Sequence, residues 1–286
     1  MAKTVEIPFA KFHGLGNDFI VVRGRGLPRA LGALAGAITN RNTGVGADGL
    51  IAVLPPRQKG RDARVRFFNP DGSEPEMSGN GIRCAAAFLL ANSRSKRDLA
   101  METGVGVKTL RLVASESGRW VFRVGMGAPI LDPRRIPFMA GDFPSPIVGF
   151  PLRTHRGLLP VTVTSIGNPH CTVFVADFAA INWAGLGREI ERNELFPNRT
   201  NVEFVKVLSK RQIEVRFWER GVGETMSSGT GSCGAVVACI LNGLTGRKVT
   251  ARTPAGNLVV EWPEKGEISL TGPVERIAQG KYFYPG

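Results

Sequence analysis

Residues 65–85, VRFFNPDGSEPEMSGNGIRCA, lie over residues 215–235, VRFWERGVGETMSSGTGSCGA, without a gap at a constant offset of 150. That offset places Val65 on Val215, Arg66 on Arg216, Phe67 on Phe217, Glu74 on Glu224, Ser78 on Ser228, Gly79 on Gly229, Gly81 on Gly231 and Ala85 on Ala235. A second pair, GNDFIVV from Gly16 and GNPHCTV from Gly167, sets Asn17 over Asn168 at an offset of 151. Either match alone has little weight; together they read as a duplication. At 286 residues the chain also has the length of two domains. The expected organisation is an N-terminal unit of residues 1–127, completed by 273–286, and a C-terminal unit of residues 128–272.

Strand-like patterning dominates. Alternating or β-branched runs occur at residues 5–12, 18–22, 63–68, 108–114, 120–125, 161–165, 170–175, 203–207, 212–218, 258–262 and 267–271. Residues 28–39 and 183–192 have amphipathic helical spacing. Residues 82–91 and 232–241 are apolar or small on nearly every face, the pattern of a helix enclosed by protein. The expectation is an α+β fold of two pseudo-symmetric units, each a curved mixed or antiparallel sheet wrapped around a central apolar helix.

Composition narrows the function. The 43% hydrophobic fraction supports a real core and rules out disorder. No stretch approaches the roughly 18 to 20 apolar residues of a membrane span, and MAKTVEIPFAKFHG lacks a signal peptide's apolar stretch, so a cytoplasmic location is expected. The net charge of +13 invites a nucleic-acid reading. Its densest runs, residues 57–61 and 94–98, are short, loop-like and free of interleaved aromatic residues. Cys84, Cys171, Cys233 and Cys239 form no CxxC pair, and His13, His155 and His170 have no metal-ligand spacing, so neither a disulfide framework nor a metal is expected. Gly229 to Gly234 matches GxGxxG, but the following strand-like run, 248–253, ends without the acidic residue a dinucleotide site needs.

Both repeated loops read Ser-Gly-(Asn/Thr)-Gly immediately before an apolar helix. Glycine lets backbone approach a ligand, and the free N–H groups of a helix start make an anion site. One such loop is no more than a tight turn with a serine N-cap. Two related by duplication, with Glu74 and Glu224 four residues before each serine and with Asn69 and Glu219 nearby, point to a shared cleft between the units holding one small molecule.

In order along the chain, FHGLGNDFIVV, RNTGVGADGL, NPDGSEPEMSGNGIRCAA, GNPHCTVF, FPNRTNVEFV and ERGVGETMSSGTGSCGAVVA resemble the successive motifs of the diaminopimelate epimerase family. The resemblance implies a cofactor-free isomerase, usually a homodimer. Such enzymes interconvert LL- and meso-diaminopimelate for lysine and peptidoglycan biosynthesis by two-base proton transfer at Cα. Carried over by position, it implies that Asn17, Asn69, Asn168 and Asn201 contact substrate and that Arg220 pairs with the distal carboxylate. It further implies that backbone N–H groups of Gly79, Asn80, Gly229 and Thr230 hold the carboxylate of the reacting centre, and that His170 and Glu219 tune the catalytic pair. Some members carry Gln where this chain has Gly49.

At the catalytic pair the chain departs from the resemblance: the family has cysteine where Ser78 and Ser228 stand. A thiol at a helix start has its pKa lowered from about 8.5 to roughly 3.5–7.5, whereas a hydroxyl lies near water's value of about 15.7. Three readings stay open: an epimerase whose serines work with an assisting base, Glu219 or His170; an inactive substrate-binding form; or a related cofactor-free isomerase or dehydratase. A basic nucleic-acid-binding protein is the alternative from another class.

Overall fold

The computed structural model describes residues 4–24, 26–91 and 97–285. Two compact units emerge: Met1–Val124 with Gly272–Gly286, and Gly125–Thr271. In chain order the first holds β1 (Thr4–Gly14), β2 (Asn17–Arg23), α1 (Leu31–Thr39), β3 (Gly49–Leu54), β4 (Ala63–Phe68), α2 (Gly79–Ala91), β5 (Asp98–Thr103), β6 (Gly106–Glu116) and most of β7 (Arg119–Gly127). The second holds β8 (Phe150–Thr154), β9 (Gly157–Ser165), β10 (Pro169–Phe174), α3 (Trp183–Glu191), β11 (Asn201–Ser209), β12 (Gln212–Glu219), β13 (Gly223–Thr225), α4 (Gly229–Leu241), β14 (Lys248–Thr253) and β15 (Gly256–Glu261). Strand β16 (Ile268–Pro285) pairs β15 through Ser269–Thr271 and β1 through Glu275–Pro285.

The duplication is visible in strand direction. In the first unit β2 and β3 are parallel, β3 and β4 antiparallel, β4 and β5 parallel, β5 and β6 antiparallel. The second repeats this sequence with β10 and β11, β11 and β12, β12 and β14, and β14 and β15. Parallel neighbours need a crossover. Helices α1 and α2 supply the two crossovers of the first unit, α3 and α4 those of the second. The first unit closes into a ring, because β7 neighbours β16 and β16 pairs β1.

The central strands of each unit are covered on both faces, which is why β2, β3, β10 and β11 are buried over five consecutive residues. On one face of the first unit Ile20, Val22, Leu50, Ala52 and Phe68 pack with Leu34, Ala35 and Ile38 of α1. In the second, Cys171, Val173, Val202, Phe204 and Trp218 pack with Leu186 and Ile190 of α3. The opposite faces receive α2 and α4, whose residues are buried nearly all round.

Both central helices start three residues earlier than the apolar runs predict, at Gly79 and Gly229. The glycines read as loop form the first helical turn, because each preceding serine caps it. Ser78 Oγ accepts from the Gly81 N–H at 3.0 Å and Ser228 Oγ from the Gly231 N–H at 3.2 Å. The basic run at residues 57–61 is a loop whose Arg57 and Gln58 N–H groups donate to Glu102. Of the run at 94–98, residues 94–96 lie outside the described residues. No helix among the described residues is long and apolar enough to cross a membrane.

Candidate active site

Ser78 and Ser228 occupy equivalent places, each the N-cap of a buried helix whose first N–H groups, on Gly79 and Asn80 or Gly229 and Thr230, have no partner within the helix. Glycine at the third helical position is a packing requirement. A Cβ on Gly81 would stand 3.0 Å from the Phe67 ring, and one on Gly231 2.9 Å from the Phe217 ring and 3.0 Å from Glu203 Oε1. Ser78 is half-buried; Ser228 is 4% exposed.

Around Ser78, Asn80 is buried and donates from Nδ2 to Asn17 Oδ1 at 3.3 Å, while its own Oδ1 accepts from Arg83 Nη2 at 2.8 Å. Arg83 is fully buried and also donates to the Gly79 carbonyl at 3.0 Å. Asn17 Nδ2 donates to Asp48 Oδ2 at 2.9 Å. Asp48 and Asp18 form an acidic pair clamped by Arg41, with Lys11 Nζ 2.9 Å from Asp18. Burial alone would push the Asp18 carboxyl up, but Lys11 and Arg41 together hold it below the usual carboxylate range. Asn69 lies exposed just past β4 and donates from Nδ2 to Ser73 Oγ at 2.9 Å. Glu74 is engaged by Arg66 through two bonds of 2.6 and 2.5 Å. At Gly49 a Cβ would meet the Phe68 carbonyl at 2.9 Å, so no side chain fits there as the strands stand.

Around Ser228, Asn168 Nδ2 reaches Thr230 Oγ1 at 3.5 Å and Asn168 Oδ1 lies 3.0 Å from His170 Nε2. His170 is 0% exposed, and its Nδ1 is 2.7 Å from Glu203 Oε1. Burial pushes the Glu203 carboxyl up, and Glu219 adds to this, while His170 opposes it. Asn201 uses its amide on backbone at both ends, donating to the Pro169 carbonyl at 2.8 Å and accepting the Arg220 N–H at 3.0 Å. It thereby ties the start of β10 to the end of β12. Glu219 closes β12 half-buried; Arg220 is exposed and donates from Nη1 to the Asn198 carbonyl at 3.1 Å. Buried Glu191 braces the same turn, accepting from Trp218 Nε1 and the Gly221 N–H, both at 2.9 Å. Against its burial, those bonds and Arg199 hold its carboxyl low.

Glu203, Arg83, Asp48 and Glu191 are not among the residues the sequence motifs point to. The first two had a usable signal: a charge inside an otherwise apolar stretch, in NVEFV and GIRCAAAFLL. All four cysteines are free and buried, and burial pushes the thiols of Cys84 and Cys239 up to about 12. Neither Cys84 nor Cys239 is a thiolate near neutral pH. Among the described residues no group of three or more His, Cys, Asp or Glu is placed to hold a metal ion.

The fold is that of the duplicated racemases and epimerases. Hydroxyproline epimerase from Agrobacterium vitis superposes with a TM-score of 0.70 over 100% of this chain and 95% of that one, at 13% identity. The family profile for diaminopimelate epimerase matches residues 9–131 and 162–277. The diaminopimelate epimerase of Pelotomaculum thermopropionicum is 46% identical over 280 residues, covering 96% of this chain and 99% of its own length. That of Halothermothrix orenii is 43% identical over 279 residues, covering 97% and 98%. The chain belongs to the diaminopimelate epimerase family.

Proposed function

We propose that the protein interconverts LL- and meso-diaminopimelate by cofactor-independent two-base chemistry, with Ser78 and Ser228 as its proton-handling groups. The observation carrying this reading is the matched pair of serine caps, each hydroxyl oxygen bonded to the N–H of the third helical residue. One hydroxyl oxygen takes the Cα proton on one face while the other delivers its own proton to the opposite face. The free N–H groups of Gly79, Asn80, Gly229 and Thr230 hold the α-carboxylate, onto which charge moves as the Cα–H bond breaks. Asn17, Asn69, Asn168 and Asn201 contact polar groups of the substrate, and Arg220 pairs with the distal carboxylate. We place the enzyme in the cytoplasm, on the route to lysine, as a homodimer.

Serine sets the rate. The gap of roughly seven pKa units between hydroxyl and thiol corresponds to about 10 kcal/mol. A helix dipole supplies at most about 2 kcal/mol, and one hydrogen bond to a charged oxygen about 1.5–3 kcal/mol. A standing alkoxide is therefore excluded on either serine. The one that takes the Cα proton must pass its own hydroxyl proton to a neighbouring base, and the one that delivers its proton must be resupplied by a neighbouring acid in the same step. Glu219, half-buried at the end of β12, and His170, buried on β10, are the two candidates for that exchange.

The test is incubation with LL-diaminopimelate in deuterated water, following Cα deuterium and meso product. The expected result is slow or undetectable turnover by the chain as it stands and a gain on the order of 100-fold or more in Ser78→Cys/Ser228→Cys. Equal rates contradict the serine assignment; no epimerisation by either protein contradicts the substrate.

A further inference from the structure

Asn168 Oδ1 can only accept a hydrogen bond, so His170 donates to it through Nε2–H, at 3.0 Å. With Nε2 protonated, Nδ1 stands 2.7 Å from Glu203 Oε1, a separation that requires one proton between the two atoms. On nitrogen, that proton makes an imidazolium beside a carboxylate; on oxygen, it makes two neutral groups. In both cases the pair is neutral overall and Nε2–H faces Asn168. Water does not reach it, since His170 and Glu203 are 0% and 1% exposed. The second carboxyl oxygen, Oε2, finds no partner among the described residues, so the side chain's polar contact is directed at His170. Helix α4 lies directly over the pair because Gly231 and Gly234 have no Cβ, which would stand 3.0 Å from Glu203 Oε1 and 3.0 Å from the His170 side chain.

We propose that Glu203 is a positioning residue for substrate binding: through His170 it fixes the Asn168 amide with its carbonyl on the imidazole and its N–H groups toward Thr230 and the start of α4. The inference rests on the reading of Asn168 as a substrate contact. Without Glu203, a neutral imidazole is free to carry its proton on Nδ1. Nε2 then becomes an acceptor facing the acceptor Oδ1, and the amide is driven to turn over. A substrate carboxylate would then meet a carbonyl oxygen where it had met a donor.

The chain has three histidines, so the imidazole of His170 is resolvable by nitrogen NMR of histidine-labelled protein, assigned with a His170→Gln sample. Binding of LL-diaminopimelate is measured by calorimetry alongside. In the unsubstituted protein Nε2 carries a proton. Glu203→Gln keeps this state by donating its amide N–H to Nδ1, and it binds within about twofold. Glu203→Leu gives mixed tautomers and affinity lower on the order of tenfold, which is about 1.4 kcal/mol. An unprotonated Nε2 in the unsubstituted protein overturns the proposal, as does a Glu203→Leu variant with unchanged tautomer and affinity. If Glu203→Leu does not fold, Glu203→Gln decides: loss of the Nε2 proton there overturns it. Failure of the unsubstituted protein to bind LL-diaminopimelate removes the proposed substrate and leaves the tautomer measurement standing.

Discussion

In the first unit the second residue of the central helix, Asn80, is met by Asn17 at 3.3 Å; in the second the matched residue, Thr230, is met by the matched Asn168 at 3.5 Å. Both serine caps bond the third helical N–H, and both third residues are glycines pressed on equivalent phenylalanines. Beneath this shared layer the two regions part. Asn80 rests on the buried guanidinium of Arg83, whereas Asn168 rests on His170, which is backed by the buried Glu203 carboxyl. The duplicated backbone fixes where a hydroxyl and a set of N–H groups stand, and the residues below fix the local charge. Two loops of one origin thus present one geometry in different electrostatic settings.

The comparison breaks most readily at Arg83. Replacing it with Met removes buried charged hydrogen bonds to Asn80 Oδ1 and the Gly79 carbonyl, and is expected to cost about 3 kcal/mol in denaturant unfolding. A change under about 0.5 kcal/mol would show that the cation supports nothing. The glycines come next. Gly231→Ala must displace both the Phe217 ring and the Glu203 carboxyl, while Gly81→Ala meets the Phe67 ring and the Ser78 Cβ. Each should destabilise by about 1–3 kcal/mol, with Gly231→Ala the larger, and the reverse order would argue against a tight carboxyl beneath α4. The smallest effect is in pH dependence, where the two regions have opposite signs. The Asp18 carboxyl is held low, so its stabilisation is present above the unfolded value of about 3.9 and is lost as pH falls through the folded value. The Glu203 carboxyl is held high, so it weakens the fold progressively as pH rises above the unfolded value of about 4.3. Urea midpoints against pH should therefore show Asp18→Asn losing less stability on acidification than the parent. They should also show Glu203→Gln gaining relative to the parent as pH rises from about 4; matching slopes would contradict the contrast.

Much of this was legible in the sequence. The offset of 150 carries the repeated strand order, and the small, apolar runs after each serine mark helices buried all round. The positions of Asn17, Asn80, Asn168 and Thr230 followed from the motifs, and they meet in like pairs. Helices α2 and α4 start earlier than their apolar runs predict because glycine favours loop locally, whereas the serine cap and the sheet beneath favour helix. Strand β3 escaped because GLIAVL is apolar without alternation, the pattern of a strand covered on both faces. Glu203 and Arg83 were visible only as isolated charges in apolar stretches, and their partners come from segments 33 residues away or from the preceding helical turn. No local pattern announces the first of these.

The central claim, that two hydroxyl groups act as a pair, is tested most directly by giving the chain one thiol at a time. Formation of meso product from LL-diaminopimelate should remain close to the parent rate in Ser78→Cys and in Ser228→Cys and rise steeply only when both are present. Full turnover from either single substitution would contradict the account.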